Sequence, residues 1–259
     1  MAKAIMIQGT ASGVGKTILS LALCRIFKQD GYNVAPFKAQ NMTTNTILTK
    51  DEDEIAISQY LQALAAEVEP CVDMSPIVLK PPYTHPVDKE SKLKTIMDAY
   101  SRLCEKHDVI VIEGAGSSVE LNLKENDLVN MSMAKRAKAP VLLVSDIDRG
   151  GVFASLYGSI KLMDESERLH VKATIVNRFM GDASLFADGV KIIEDITNLP
   201  VAGVIPYTEI TLPEEDSLFD NTSSTLEDNF KSQFNRIADN VRQHLDMKLV
   251  YKILDEGVK

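Results

Sequence analysis

The stretch Gln8-Gly9-Thr10-Ala11-Ser12-Gly13-Val14-Gly15-Lys16-Thr17 follows the apolar run 4–7 and precedes the apolar run 18–23. An apolar strand, a glycine-rich turn and an apolar helix in that order leave few folds open to a chain. Successive backbone N–H groups converge in such a turn, and the helix N-terminus adds its positive dipole end. A polyphosphate can then be held largely by main chain. In this reading residues 9–17 line a nucleotide site, Lys16 neutralises the β- and γ-phosphates, and Thr17 offers its hydroxyl to Mg²⁺. The usual spacing G-x-x-x-x-G-K-[ST] is matched only in its second half. Thr10 stands where the first glycine is expected, and Gly9 lies one position earlier.

The chain has 259 residues, 45% hydrophobic and 25% charged, which suits a globular α/β domain or two small ones. Its net charge of −9, from 28 basic and 37 acidic residues, argues against a nucleic-acid partner. No run of 18 apolar residues occurs, and the N-terminus enters the first strand without a signal-peptide core. A cytoplasmic protein with no membrane partner is expected. Cys24, Cys71 and Cys104 lack any C-x-x-C pairing, so neither a disulfide framework nor a zinc site is indicated. Cys24 and Cys104 read as packing residues.

The first helix is expected to end near Gln29, and 34–37 reads as a second strand running into Lys38, Gln40 and Asn41. Ligands in open α/β sheets bind beyond the carboxyl ends of strands, which puts these three on the edge used by the glycine-rich loop. A solvated turn is the alternative. The acids Asp51, Glu52, Asp53 and Glu54 precede a helical stretch over 55–66. The helix dipole accounts for most of that run, and a carboxylate there is also placed to reach a metal. Residues 70–86 read as a proline-rich loop around the apolar segment 77–79. Residues 89–106 form an amphipathic helix with Leu93, Ile96, Met97, Tyr100 and Leu103 on one face.

Val109-Ile110-Val111-Ile112 is a β-branched run suited to a strand buried on both faces of a parallel sheet. Glu113 at its end occupies the Walker-B position of a phosphate-loop protein and is a candidate Mg²⁺ ligand. Gly114 and Gly116 leave room for a ligand to approach. A further core strand over 140–145 runs into Asp146, Asp148, Arg149, Gly150 and Gly151, which again mark the active edge. The strand 171–176 ends in Asn177-Arg178-Phe179, where an amide offers a donor and an acceptor to an adenine edge. A helix over 184–197 and a strand over 201–205 follow. After 212–218 comes a linker-like segment. Leu226, Phe230, Phe234, Ile237, Val241 and Leu245 then form an apolar stripe, so a final helix is expected to dock on the domain, with partner binding or dimerisation as the alternative. The resulting division is 1–218 for the nucleotide-binding domain, 219–225 for a linker and 226–259 for a C-terminal helical segment. The fold class is α/β, a doubly wound and mostly parallel sheet closed by that helix.

These segments together resemble the N-terminal synthetase part of the cobyric acid synthase family, within the dethiobiotin synthetase-like group of phosphate-loop proteins. The resemblance is carried by Gln8-Gly9-Thr10 with Gly15-Lys16-Thr17, Pro36-Phe37-Lys38-Ala39-Gln40-Asn41-Met42, Val72-Asp73-Met74-Ser75-Pro76, and Val111-Ile112-Glu113-Gly114-Ala115-Gly116-Ser117. It continues in Asp146-Ile147-Asp148-Arg149-Gly150-Gly151-Val152-Phe153, Asn177-Arg178-Phe179 and Leu212-Pro213-Glu214-Glu215-Asp216-Ser217. It implies ATP-dependent amidation of corrinoid side-chain carboxylates in cobalamin biosynthesis, through an acyl phosphate that ammonia converts to an amide. It also implies that Lys16, Lys38 and Asp146 serve the chemistry and that Thr17, Glu54 and Glu113 hold Mg²⁺. Asn177 and Arg178 would join residues 9–17 at ATP, while Gln40, Asn41, Gly114, Asp148 and Arg149 would line the substrate. A homodimer with the site near the subunit boundary is a further implication.

The chain departs from that family in three places. Relatives of full length carry a glutaminase domain with a cysteine nucleophile, whereas here Ser217 passes through a short linker to the last helix, and no cysteine sits in a glycine-flanked elbow. The expectation is an enzyme without its own glutaminase, using free ammonia or a separate glutaminase subunit. The segment after Lys80-Pro81 is shorter than in the family, and Met180 stands where a basic residue is common. Two other classes stay open. A nucleotide-dependent switch or metallochaperone-like ATPase carries a signature lysine early in the loop, where this chain has Ala11. A non-catalytic nucleotide or corrinoid binder conflicts with Lys16, Lys38 and Glu113, whose charges are costly to cluster without a ligand.

Overall fold

The computed structural model describes residues 2–81, 88–209, 212 and 226–258. In chain order the elements begin with β1 (Lys3–Gly9), α1 (Lys16–Gln29), β2 (Val34–Phe37), β3 (Asn41–Met42), β4 (Thr46–Leu48), β5 (Glu54–Ala56), α2 (Ile57–Ala65) and β6 (Val78–Leu79). Next come α3 (Lys89–Lys106), β7 (Val109–Glu113), α4 (Met131–Ala137), β8 (Val141–Asp146), α5 (Val152–Leu162) and α6 (Glu165–Arg168). The chain closes with β9 (Val171–Phe179), α7 (Ala187–Thr197), β10 (Val201–Pro206), α8 (Leu226–His244) and α9 (Met247–Glu256).

Six strands form one parallel sheet in the order β10-β9-β8-β1-β7-β2. β7 and β8 are buried along their whole length, as their near-continuous apolar sequences require of strands covered on both faces. The order reverses at β1. From β1 the chain passes out to β2, returns to β7 and then continues through β8, β9 and β10, so the carboxyl end of β1 is a topological switch point. The glycine-rich loop leaves the sheet there. The expected doubly wound parallel sheet is the one observed.

The chain forms two compact units. The first contains Ser20–Glu113 and α8 as far as Ala238. Here β2 pairs with β7 in register Val34↔Val109 to Phe37↔Ile112. Phe37 meets Tyr100 of α3 edge-on, with ring centroids 5.4 Å apart. Arg25 of α1, only 6% exposed, donates through Nε to Asn235 Oδ1 of α8 at 2.8 Å and through a terminal nitrogen to Glu67 at 2.8 Å. A buried guanidinium with fixed acceptors of this kind ties α1 and α8 to the end of α2.

The second unit contains Lys3–Leu19, Gly114–Glu209 and the chain from Asp239 onward. In it β1 pairs with β8, β8 with β9, and β9 with β10, all parallel. Lys3 of β1 pairs with Asp255 of α9 at 2.7 Å. Leu245 bridges to Gly203 of β10, and Asp246 donates its backbone N–H to Ala202.

Several expectations about local structure need correction. The acids at 51–54 do not start a helix: Asp51, Glu52 and Asp53 lie in the turn of a hairpin in which β4 pairs antiparallel with β5, with Glu52 at φ +64°, and Glu54 opens β5. α2 begins only at Ile57 and has no acid in its first turn, so the dipole explanation falls away. Within the expected proline-rich loop, Val78–Leu79 pairs in parallel with β3. The helix expected over 184–197 starts as a 3-10 turn at Ala183–Phe186 before α7. The single final helix is two, because the Asp246 carboxylate accepts from Leu249 N and begins α9 afresh. Phe230, Phe234, Ile237, Val241 and Leu245 of the stripe are all buried. Helices α4, α5 and α6 were not anticipated. The segment 82–87, the motif from Pro213 to Ser217, the linker at 219–225 and the side chain of Leu226 lie outside the described residues.

Candidate active site

In the second unit the loop is built as its sequence requires. Gly13 and Gly15 have φ of +73° and +100°, a left-handed conformation that favours glycine. A Cβ on Gly15 would collide with Asn177 Nδ2, so the glycine also makes room for that amide. Asn177, at the end of β9, donates to Val14 O at 2.8 Å and holds the loop from beneath. Thr10 is fixed twice to β8, by its backbone N–H on Val144 O at 2.9 Å and by its hydroxyl on Ser145 Oγ at 3.0 Å.

Lys16 is 7% exposed, and its ammonium donates to Ala11 O at 3.0 Å and Gly116 O at 2.6 Å. It is thus held on the concave side of the turn by carbonyl groups. Thr17 follows at the start of α1, half-buried. The segment that presents Gly116 is shaped by Asn130. Its Oδ1 accepts from Ala115 N, and its Nδ2 donates to Ala115 O and Ser117 O, all between 2.8 and 3.0 Å. A Cβ on Gly114 would lie 2.6 Å from Asn130 Oδ1, so the glycine is needed for the amide to fit.

Asp146 closes β8, 9% exposed, accepting from Asp148 N at 2.7 Å and standing 3.5 Å from the Arg178 guanidinium. Arg178 has φ +59°, a conformation costly for a non-glycine residue, and it aims the side chain from a strand end. Asp148, Arg149 and Gly150 are exposed.

The first unit holds a second, deeply buried cluster. Lys38 follows β2 and Glu113 ends β7, at 4% and 1% exposure, with Nζ and Oε1 3.1 Å apart. Glu113 Oε2 accepts from Gln62 Nε2 at 2.6 Å and from Gln59 Nε2 at 3.3 Å, both from α2 and both wholly buried. Asn41 is also wholly buried; its Nδ2 donates to Ser75 Oγ at 2.8 Å, and its Oδ1 has no partner. Gln40 is half-buried. Glu54 is 48% exposed at its side chain and pairs with Lys80 at 2.7 Å.

Glu113 in the first unit and Thr17 in the second each carry a hard oxygen donor of the kind Mg²⁺ takes. No group of three or more His, Cys, Asp or Glu side chains poised for a metal occurs among the described residues. Mg²⁺ needs none, since it is commonly held by one or two carboxylates together with nucleotide phosphates and water. Each of these donors therefore suits Mg²⁺ by type. All three thiols are pushed up in pKa, chiefly by burial, with the Glu113 carboxylate adding to the effect at Cys24. A raised thiol pKa lowers the thiolate fraction at neutral pH.

Gln59, Gln62 and Asn130 were missed in the sequence. The legible signal for the glutamines is a pair of uncharged polar residues three apart on a mainly apolar, uncharged helix, which places both on one face. Asn130 carries no comparable marker.

The chain is similar to known proteins over most of its length. A cobyric acid synthase from Dehalococcoides mccartyi strain CBDB1 is 50% identical over 239 residues, covering 85% of this chain and 48% of the relative. The cobyric acid synthase of Ruminiclostridium cellulolyticum is 49% identical over 245 residues, covering 86% and 47%. The chain spans about half the length of the curated relatives it matches. Among solved structures, the signal recognition particle receptor FtsY from Elizabethkingia anophelis in complex with GDP aligns with a TM-score of 0.53 at 21% identity, over 90% of this chain and 63% of that one. That likeness concerns the fold alone. A family model described as an AAA domain matches residues 3–215, and the chain belongs to that family.

Proposed function

We propose that this chain activates a corrinoid carboxylate with ATP and Mg²⁺ and delivers it to ammonia, forming an amide in cobalamin biosynthesis. The observation that carries the reading is its identity of about one half to cobyric acid synthases over 85% of its length. The loop around Lys16 supports the nucleotide half. In the reaction a substrate carboxylate oxygen attacks the γ-phosphorus, the bond to the β-phosphate oxygen breaks, and ADP leaves. Ammonia then attacks the acyl carbon, inorganic phosphate departs with the carbon–oxygen bond, and the nitrogen loses its extra protons to solvent. Little covalent work falls to side chains, so their task is placement and charge.

Lys16 moves its ammonium from carbonyl partners to phosphate oxygens. Lys38 neutralises charge on the transferred phosphoryl group, and Asp146 orients Arg178 toward the nucleotide. Thr17, Glu113 and Glu54, the last leaving Lys80, would hold Mg²⁺, which when bound offsets phosphate charge. Asn41, with its buried unpartnered Oδ1, joins Gln40, Gly114, Asp148 and Arg149 on the substrate side. Asn177 and Arg178 complete the nucleotide side with residues 9–17. Ammonia comes from solution or from a glutaminase, and a homodimer is the assembly we favour. The domain scheme of 1–218, 219–225 and 226–259 is retained in this reading.

The test is incubation with ATP, Mg²⁺, ammonium and cobyrinic acid diamide, followed by mass spectrometry. Carboxyl-to-amide conversion with matching ADP is expected. Conversion supported by ammonium but not by glutamine would identify free ammonia as the nitrogen source. Absence of conversion, with no substrate-stimulated ADP, would overturn the reading.

A further inference from the structure

We infer that Gln59 and Gln62 are positioning residues for Glu113, holding one carboxylate oxygen while the other exchanges Lys38 for a divalent cation; this rests on the reading that Glu113 is a metal ligand. The two carboxylate oxygens have chemically different neighbours. Oε1 faces the ammonium of Lys38 at 3.1 Å, and Oε2 accepts from the amides of Gln62 at 2.6 Å and Gln59 at 3.3 Å. The amides belong to one buried array, since Ser58 Oγ donates to Gln59 Oε1 at 2.9 Å and Gln59 Nε2 lies 3.4 Å from Gln62 Oε1. Ser58, Gln59, Gln62, Lys38 and Glu113 are each at most 4% exposed.

Uncharged donors matter at this depth. A second cation on Oε2 would compete with a metal for the carboxylate's charge, and a second carboxylate would force one proton into the cluster. Two amides do neither. They hold the Glu113 carboxylate in orientation when Lys38 turns to a phosphoryl group, and they leave Oε1 as the exchangeable atom. Hydrogen-bonded partners of a ligating carboxylate typically set metal affinity by 10- to 100-fold.

The test uses Mn²⁺ as a paramagnetic stand-in and the non-hydrolysable analogue adenylyl imidodiphosphate. Mn²⁺ affinity for the protein–analogue complex is read by electron paramagnetic resonance, and analogue affinity without metal is read separately. Gln62→Leu and Gln59→Leu are compared with wild type and Glu113→Gln. The expected result is a Mn²⁺ affinity about 10-fold or more weaker in Gln62→Leu, a smaller loss in Gln59→Leu, and metal-free analogue affinity within about twofold of wild type. Should Glu113→Gln bind Mn²⁺ as wild type does, the metal-ligand reading itself fails. Should Glu113→Gln lose Mn²⁺ while both glutamine variants keep it, the inference alone is overturned. Loss of metal-free analogue binding in both glutamine variants also overturns it, because the pair would then be only structural.

Discussion

Two lysines in this chain are buried for different reasons, and substitution separates them. Lys16 donates to two backbone carbonyls, Ala11 O and Gly116 O. Lys16→Ala is expected to lower ATP affinity about 10-fold or more, the value of a charge-assisted hydrogen bond of ~1.5–3 kcal/mol. Its urea midpoint should stay near wild type, because the bonds from Thr10 N to Val144 O and from Ser118 N to Gly9 O remain. Lys38 instead faces a carboxylate that is 1% exposed. Lys38→Met strands that charge and should cost about 3–5 kcal/mol in urea unfolding. The double variant Lys38→Met/Glu113→Gln should cost less than the single one, and additive losses would contradict this account. Lys16 and Glu113, to which the proposal gives the chemistry, stood out in the sequence because one ends a glycine-rich turn and the other ends an apolar strand. Gln59, Gln62 and Asn130 did not, because an amide's usefulness depends on what the fold brings to it rather than on local spacing.

Long elements with a strong pattern were readable, and short ones were not. β2, α3 and β7 fall on the expected residues, since four consecutive β-branched residues or five apolar residues on one helical face leave little choice. β3, β4, β5 and β6 have two or three residues each, too few to show a period, and they exist through pairing alone. The acidic turn between β4 and β5 illustrates the confusion, because acids favour both a helix start and an exposed turn. The junction of α1, α2 and α8 gives the prediction at this scale. Hydrogen bonding from Arg25 holds the Glu67 carboxyl below the ordinary glutamate range, with Lys231 adding to it. A carboxyl lowered on folding stabilises fully above its unfolded value of about 4.3, and that contribution is lost as pH falls through the folded value. Glu67→Gln should therefore be less stable than wild type near neutral pH, and the gap should close as pH falls below about 4. A urea midpoint followed against pH reads this directly, and a gap that widens in acid would contradict it. The Glu67 side chain is 41% exposed, so the gap is small.

For the whole molecule, the parallel sheet follows from apolar strands alternating with helices, and its switch point falls at β1, where the glycine-rich loop begins. A fold of this kind hosts many chemistries, so architecture marks the switch point where ligands bind and leaves nucleotide and acceptor to other observations. No helix among the described residues is long and apolar enough to cross a membrane. The central claim is that a carboxylate is phosphorylated before it is amidated, and isotope transfer tests that step. Cobyrinic acid diamide labelled with ¹⁸O in its carboxyl groups is turned over with ATP, Mg²⁺ and ammonium, and the inorganic phosphate is analysed by mass spectrometry. The account predicts one ¹⁸O in the phosphate for each amide formed. Amide accompanied by unlabelled phosphate would contradict it.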